Sequence, residues 1–66
     1  MEKLTKREQE ILDRIVQGKN NVEISKELSI SESTVKAFCS SIFRKMQVNN
    51  RVSAAVKALK KGLIWI

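Results

Sequence analysis

Apolar residues recur along this chain at helical spacing, and no stretch alternates as a half-buried strand would. Ile11, Leu12, Ile15 and Val16 form one stripe, while Lys6, Glu10, Asp13, Arg14 and Gln17 fill the opposite face. Thr5-Lys6-Arg7-Glu8, just ahead of the stripe, is a capping box in which the threonine hydroxyl and the glutamate carboxylate answer each other's free backbone amides. Gly18 supplies a left-handed stop. These signals predict a first helix over about 6–17. Asn20 and Glu23 repeat the cap-plus-acid signature, and Val22, Ile24 and Leu28 offer the apolar contacts of a short second helix over 21–28. Leu28-Ser29-Ile30-Ser31 then interrupts the period and ends on a new cap. Two helices joined by so short a connection must cross steeply, which is helix-turn-helix geometry.

The third helix, predicted over 32–46, carries the most information. Val35, Phe38, Cys39, Ile42, Phe43 and Met46 fall on one continuous stripe, the side expected to be buried. The complementary face collects Ser33, Lys36, Ala37, Ser40, Ser41 and Arg44, none of them acidic or large and apolar. A helix face that is merely solvated mixes Glu with Lys. A face of serine, alanine and bases instead suits close approach to DNA, with this helix laid in the major groove. Asn50 caps a fourth helix over 51–61, whose Val52, Ala55, Val56 and Leu59 are expected to face inward, with Gly62 at its end. The apolar tail Leu63-Ile64-Trp65-Ile66 either folds back on the core or joins a self-association surface. The architecture expected is all-α, a four-helix bundle forming a single domain over residues 1–66.

Composition narrows the function. A 66-residue domain buries only about 60% of the surface its unfolded chain would expose, so the core is small. With no run of about 18 apolar residues and no charged leader, the expectation is a cytoplasmic domain with no membrane contact. One cysteine and no histidine leave no metal site, no cofactor ligand set and no Cys/His or Ser/His nucleophile pair, and the scattered acids form no carboxylate pair, so no enzyme is expected. The formal charge of +6 is unevenly spread. Residues 1–32 hold six bases against all seven acids, whereas from Ser33 onward there are seven bases and no acid. Such asymmetry suits a polyanion.

Taken in order, Leu4-Thr5-Lys6-Arg7-Glu8, Gly18, Glu23-Ile24, Leu28, Ile30-Ser31-Glu32-Ser33-Thr34-Val35-Lys36, Lys45-Met46 and Val48-Asn49-Asn50-Arg51 resemble the LuxR-type helix-turn-helix domain. That family is also called GerE-like and is found as the output domain of NarL/FixJ-type response regulators. The likeness covers roughly residues 4–62, and it implies a four-helix LuxR/GerE-type bundle and a role in bacterial transcription regulation at the nucleoid. It places Lys36, Ala37 and Ser40 toward bases, which agrees with the periodicity and adds to Ser33 on the same face. It places Lys26, Thr34 and Asn49 toward phosphates. Arg44 and Lys45, one turn on, are expected to reach the backbone, as are Asn20 and Asn21 at the positive end of the second helix. Glu8 and Arg51 are expected to be structural. The family also implies a homodimer through helix four, for which Ala54, Lys57, Ala58 and Lys61 lie off the expected inward stripe. Phe38 stands where the family usually has histidine, Ser25 where it has alanine and Gln47 where glycine is common; Ser40 replaces a lysine of some relatives.

Two other functions stay open from the sequence: a non-specific architectural DNA binder, and a helical protein-interaction module that touches RNA polymerase or a regulator. Met1 stands a few residues before the first cap, which leaves no room for a receiver domain and suggests either a stand-alone regulator or an excised output domain.

Overall fold

The computed structural model describes residues 2–62, and among them it contains four helices: α1 (Lys6–Val16), α2 (Asn21–Leu28), α3 (Glu32–Met46) and α4 (Arg51–Lys61). The two readings of the Leu63–Ile66 tail concern residues outside this range. Local chemistry sets each helix start. Thr5 Oγ1 accepts from the Glu8 N–H at 3.1 Å while the Glu8 carboxylate accepts from the Thr5 N–H at 2.8 Å, and Asn20 and Glu23 make the same exchange at 2.9 and 2.8 Å. Ser31 and Asn50 cap α3 and α4 through single bonds to Thr34 and Ser53. α1 stops one residue sooner than its spacing predicts, with Gln17 as its C-cap and Gly18 at φ +87 beyond it.

α3 runs through the middle of the fold and packs against α1, α2 and α4. Ile11, Leu12, Ile24, Val35, Ile42 and Met46 are its fully buried large side chains. Phe38 and Phe43 lie at the rim of the predicted stripe, half-buried against this core, and Val22 stays exposed instead of packing inward.

α4 corrects the sequence reading. Ala54 and Ala58 are wholly buried, while Val52, Val56 and Leu59, expected inside, are 74%, 44% and 49% exposed. The physical reason is distance. α4 packs on α1 and α3 with its methyl-bearing positions, and only side chains as small as alanine let backbones come that close. Counting bulky residues as core therefore selects the wrong side of this helix, and it leaves α4 with two apolar faces, a small one inside and a larger one outside.

Two non-glycine residues close helices in the left-handed region, Ser29 at φ 56 and Gln47 at φ 60. A side chain there costs about 1–2 kcal/mol that glycine avoids, partly offset by glycine's greater freedom when unfolded. Gln47→Gly is expected to stabilise the chain by about 0.5–1 kcal/mol, raising Tm by about 2–8 °C in thermal denaturation. A lowered Tm would mean that the Gln47 side chain contributes more than its backbone strain costs.

Candidate nucleic-acid interface

α3 presents Ser33, Lys36, Ala37 and Ser40 to solvent, with Arg44 a turn beyond. All five are exposed, and Lys36 has no carboxylate partner among the described residues. The face is thus what its periodicity predicts, except at Ser41. That side chain turns toward α1, is half-buried, and donates to the Glu8 carboxylate at 2.6 Å. Beside it, an open groove of about 460 Å³ runs between α1 and α3, lined by Glu8, Ser33, Thr34, Ala37, Phe38 and Ser41.

Glu8 explains why the Lys45 side chain is drawn inward and away from the exposed α3 face. Glu8 falls three, four and seven residues before Ile11, Leu12 and Ile15, so it shares their inward stripe and is 3% exposed. A carboxylate on such a stripe needs charged and hydrogen-bonding company. Lys45 Nζ provides it at 2.7 Å, with a side chain only 15% exposed, and Ser41 and the Thr5 N–H add two more bonds. Burial is the largest single influence on the Glu8 carboxyl and pushes its pKa up, but the bonds from Lys45, Ser41 and Thr5 and the charge of Lys45 together outweigh it and hold it at about 2. Lys45, expected to reach a phosphate, is a half-buried counter-ion of Glu8 within the scaffold. The signal was available in the sequence: an acid on an apolar stripe implies a base withdrawn from the surface.

The start of α2 also differs from expectation. Asn20 is committed to its cap, Asn21 Oδ1 accepts from Arg51 at 2.9 Å, and the Asn20 N–H donates to the Glu23 carboxylate at 2.8 Å. Arg51 joins several elements: besides Asn21, its guanidinium donates to the Lys19 carbonyl at 2.9 Å and lies 3.9 Å from Cys39 Sγ. This confirms a structural role for Arg51. Burial raises the pKa of the Cys39 thiol, and the Arg51 charge and hydrogen bond oppose that only in part. Arg14 and Lys19 both pair with Glu27, tying α1 to α2 and lowering the pKa of that carboxylate, chiefly through the Lys19 hydrogen bond. Lys26, Thr34 and Asn49 remain at the surface; the Thr34 hydroxyl shares a bond with Ser31, and Asn49 Oδ1 accepts from Asn50.

On α4, the residues expected at a dimer contact are engaged elsewhere. Ala54 and Ala58 are core, and Lys57 Nζ donates to the Met46 carbonyl at 2.6 Å. Of that set Lys61 alone is exposed. The face left open is apolar, with a groove of about 320 Å³ bordered by Ile15, Gly18, Val52, Val56 and Leu59.

Among the described residues there is no group of three or more His, Cys, Asp or Glu able to hold a metal ion, and no helix long and apolar enough to cross a membrane. What the geometry offers is a face of serine, alanine and lysine, with no acid among Ser33, Lys36, Ala37 and Ser40, on the second helix of the packed α2–α3 pair. Residues 2–58 match the family of bacterial regulatory proteins of the luxR type. The chain belongs to the LuxR family. Within it, the chain is 44% identical over 59 residues to the transcriptional regulatory protein DesR of Bacillus subtilis (strain 168), covering 89% of this chain and 30% of that protein. It is equally 44% identical to the spore germination protein GerE of the same organism, here covering 80% of the relative. The solved structure of the transcription factor GerE superposes with a TM-score of 0.84 at 35% identity, covering 94% of this chain and 92% of that one. The response regulator ChrA of a heme-sensing two-component system superposes with a TM-score of 0.90 at 39% identity over 97% of this chain and 32% of the other. This LuxR-family chain therefore spans under a third of the length of DesR but most of GerE.

Proposed function

We propose that the chain is the sequence-reading part of a bacterial transcription regulator and that it inserts α3 into the major groove of double-stranded DNA. The observation that carries this is the exposed face Ser33, Lys36, Ala37 and Ser40, free of acids and bulky apolar groups, on the second helix of the helix-turn-helix pair. Lys36 suits guanine O6 and N7, Ala37 a thymine methyl, and the serines either base edge. Lys26, Thr34, Arg44 and Asn49 surround this face and suit phosphates, which set register without specifying sequence. Glu23 speaks against phosphate contact at Asn20 and Asn21, and the Glu8 pair against one at Lys45. DNA as the target also implies a cytoplasmic, nucleoid-associated location.

We place dimerisation on the outward face of α4 formed by Val52, Val56 and Leu59, in place of the alanines named from sequence. Two copies would then read two-fold symmetric half-sites.

Selection of binding sites from a random duplex pool at near-physiological salt tests the whole. An enriched, roughly palindromic motif bound about a thousandfold or more above bulk DNA is the expected result. Retention without enrichment would indicate an architectural binder, and no retention a protein-interaction module. Within the selected site, Lys36→Ala is expected to cost about 1–3 kcal/mol and to relax preference at one base pair. A loss spread evenly over all duplexes would make Lys36 a phosphate contact.

A further inference from the structure

Arg44 does not meet solvent alone. The segment before α1 is anchored by Leu4 against the core, and it crosses the last turn of α3, where the Glu2 N–H donates to the Lys45 carbonyl at 3.3 Å. From there the Glu2 carboxylate reaches the Arg44 guanidinium, also at 3.3 Å. Among the described residues of α3, Arg44 is the one cation exposed at that end of the helix, because Lys45 is withdrawn to Glu8. We infer that Glu2 is an affinity-determining residue, an internal carboxylate that occupies the place of a DNA phosphate on Arg44 and must yield it when DNA binds.

This rests on the DNA-binding function proposed above. Its basis is competition between two anions for one planar donor. Guanidinium binds carboxylate and phosphate through the same fork of N–H groups, so both cannot hold its full donor edge at once. The pair is open to water, with side chains 64% and 63% exposed, so it is weak enough to be displaced. The Glu2 N–H bond to the Lys45 carbonyl and the packing of Leu4 nevertheless keep the carboxylate beside Arg44, and duplex DNA arriving there meets a cation already paired with an anion. The consequence is a built-in reduction of the salt-dependent, sequence-independent part of binding.

The test is a double-mutant cycle on the 66-residue chain, with Glu2→Gln made in the native protein and in an Arg44→Gln background, and affinity measured against a random-sequence duplex over a range of salt. Both positions are exposed, and unchanged far-UV circular dichroism would verify folding. The expected result is that Glu2→Gln tightens binding about two- to five-fold at low salt in the native background and steepens the salt slope, and that most of this gain vanishes when Arg44 is gone. An equal gain in both backgrounds would show Glu2 acting as a general negative charge and overturn the pairing, as would no gain at all. If the native chain retains no duplex of any kind, the DNA-binding function itself fails first, and that outcome is visible before any variant is compared.

Discussion

Glu8→Gln is expected to destabilise the fold by about 3 kcal/mol, a large part of what a chain this small has available. The substitution keeps the shape of the side chain but leaves the Lys45 ammonium, 15% exposed, without its counter-charge, and it weakens the bond to Ser41. The titration of Glu8 points to the same magnitude. Its folded pKa of about 2 lies below the ordinary 4.5, so the carboxylate stabilises the fold fully above about pH 4.5. That contribution is lost as pH falls toward 2, and a difference of about 2.5 units corresponds to about 3 kcal/mol. Urea unfolding from pH 7 down to pH 2 should therefore show stability falling most steeply below pH 4.5 in the native chain, and a flatter profile in Glu8→Gln. If the two profiles run parallel, another carboxylate governs the acid limb. Replacing both partners, as in Glu8→Gln with Lys45→Met, should cost less than Glu8→Gln alone, because no charge then stays buried without a partner.

Leu59→Lys is the second large effect, and its expected signature is opposite: the monomer keeps its fold while specific DNA binding collapses. Leu59 is 49% exposed beside Val52 and Val56, so a lysine there meets water and changes stability by no more than about 0.5 kcal/mol. Two copies brought together on this face would bury that ammonium against its symmetry mate. Sedimentation should show a shift toward monomer, and affinity for a two-half-site operator should fall by about a hundredfold or more, since the second half-site is no longer read by a tethered neighbour. A single half-site should be bound as before. Loss of affinity for the single half-site as well would place Leu59 in the fold or the reading face, and an unchanged operator affinity would remove α4 from assembly. Ala58→Lys is the contrasting variant: at a fully buried position it should unfold the chain outright.

The sequence made the helices legible because their ends are marked by local chemistry. Thr5 with Glu8, Asn20 with Glu23, Ser31 and Asn50 each act over three residues, a range that pattern alone resolves. The exposed face of α3 was legible for a related reason: its period is internal to one helix. What the sequence did not show is pairing between residues distant in the chain. Lys45 lies 37 residues from Glu8, and Arg51 lies 30 from Asn21, so no local window names either partner, although Glu8 on its apolar stripe signals that some base must be withdrawn. α4 failed differently. Its two apolar faces are both periodic, and hydrophobicity ranks valine and leucine above alanine, whereas the close packing of α4 on α1 and α3 favours the smaller volume. Membership in the LuxR family supplied the helix-turn-helix arrangement but not this choice of side.

The two faces of α4 lie under different physical constraints. Positions 54 and 58 are limited by volume, because any gain in size must displace a neighbouring helix. Among the described residues, positions 52, 56 and 59 lie at the surface and outside the buried core, so they can change with little effect on it. If the outward face joins two copies as proposed, two daughter proteins of a gene duplication could stop recognising each other through changes at three sites, while each went on folding and presenting the same α3 face. One eleven-residue helix would in this way let a lineage multiply its regulators without first reinventing their architecture.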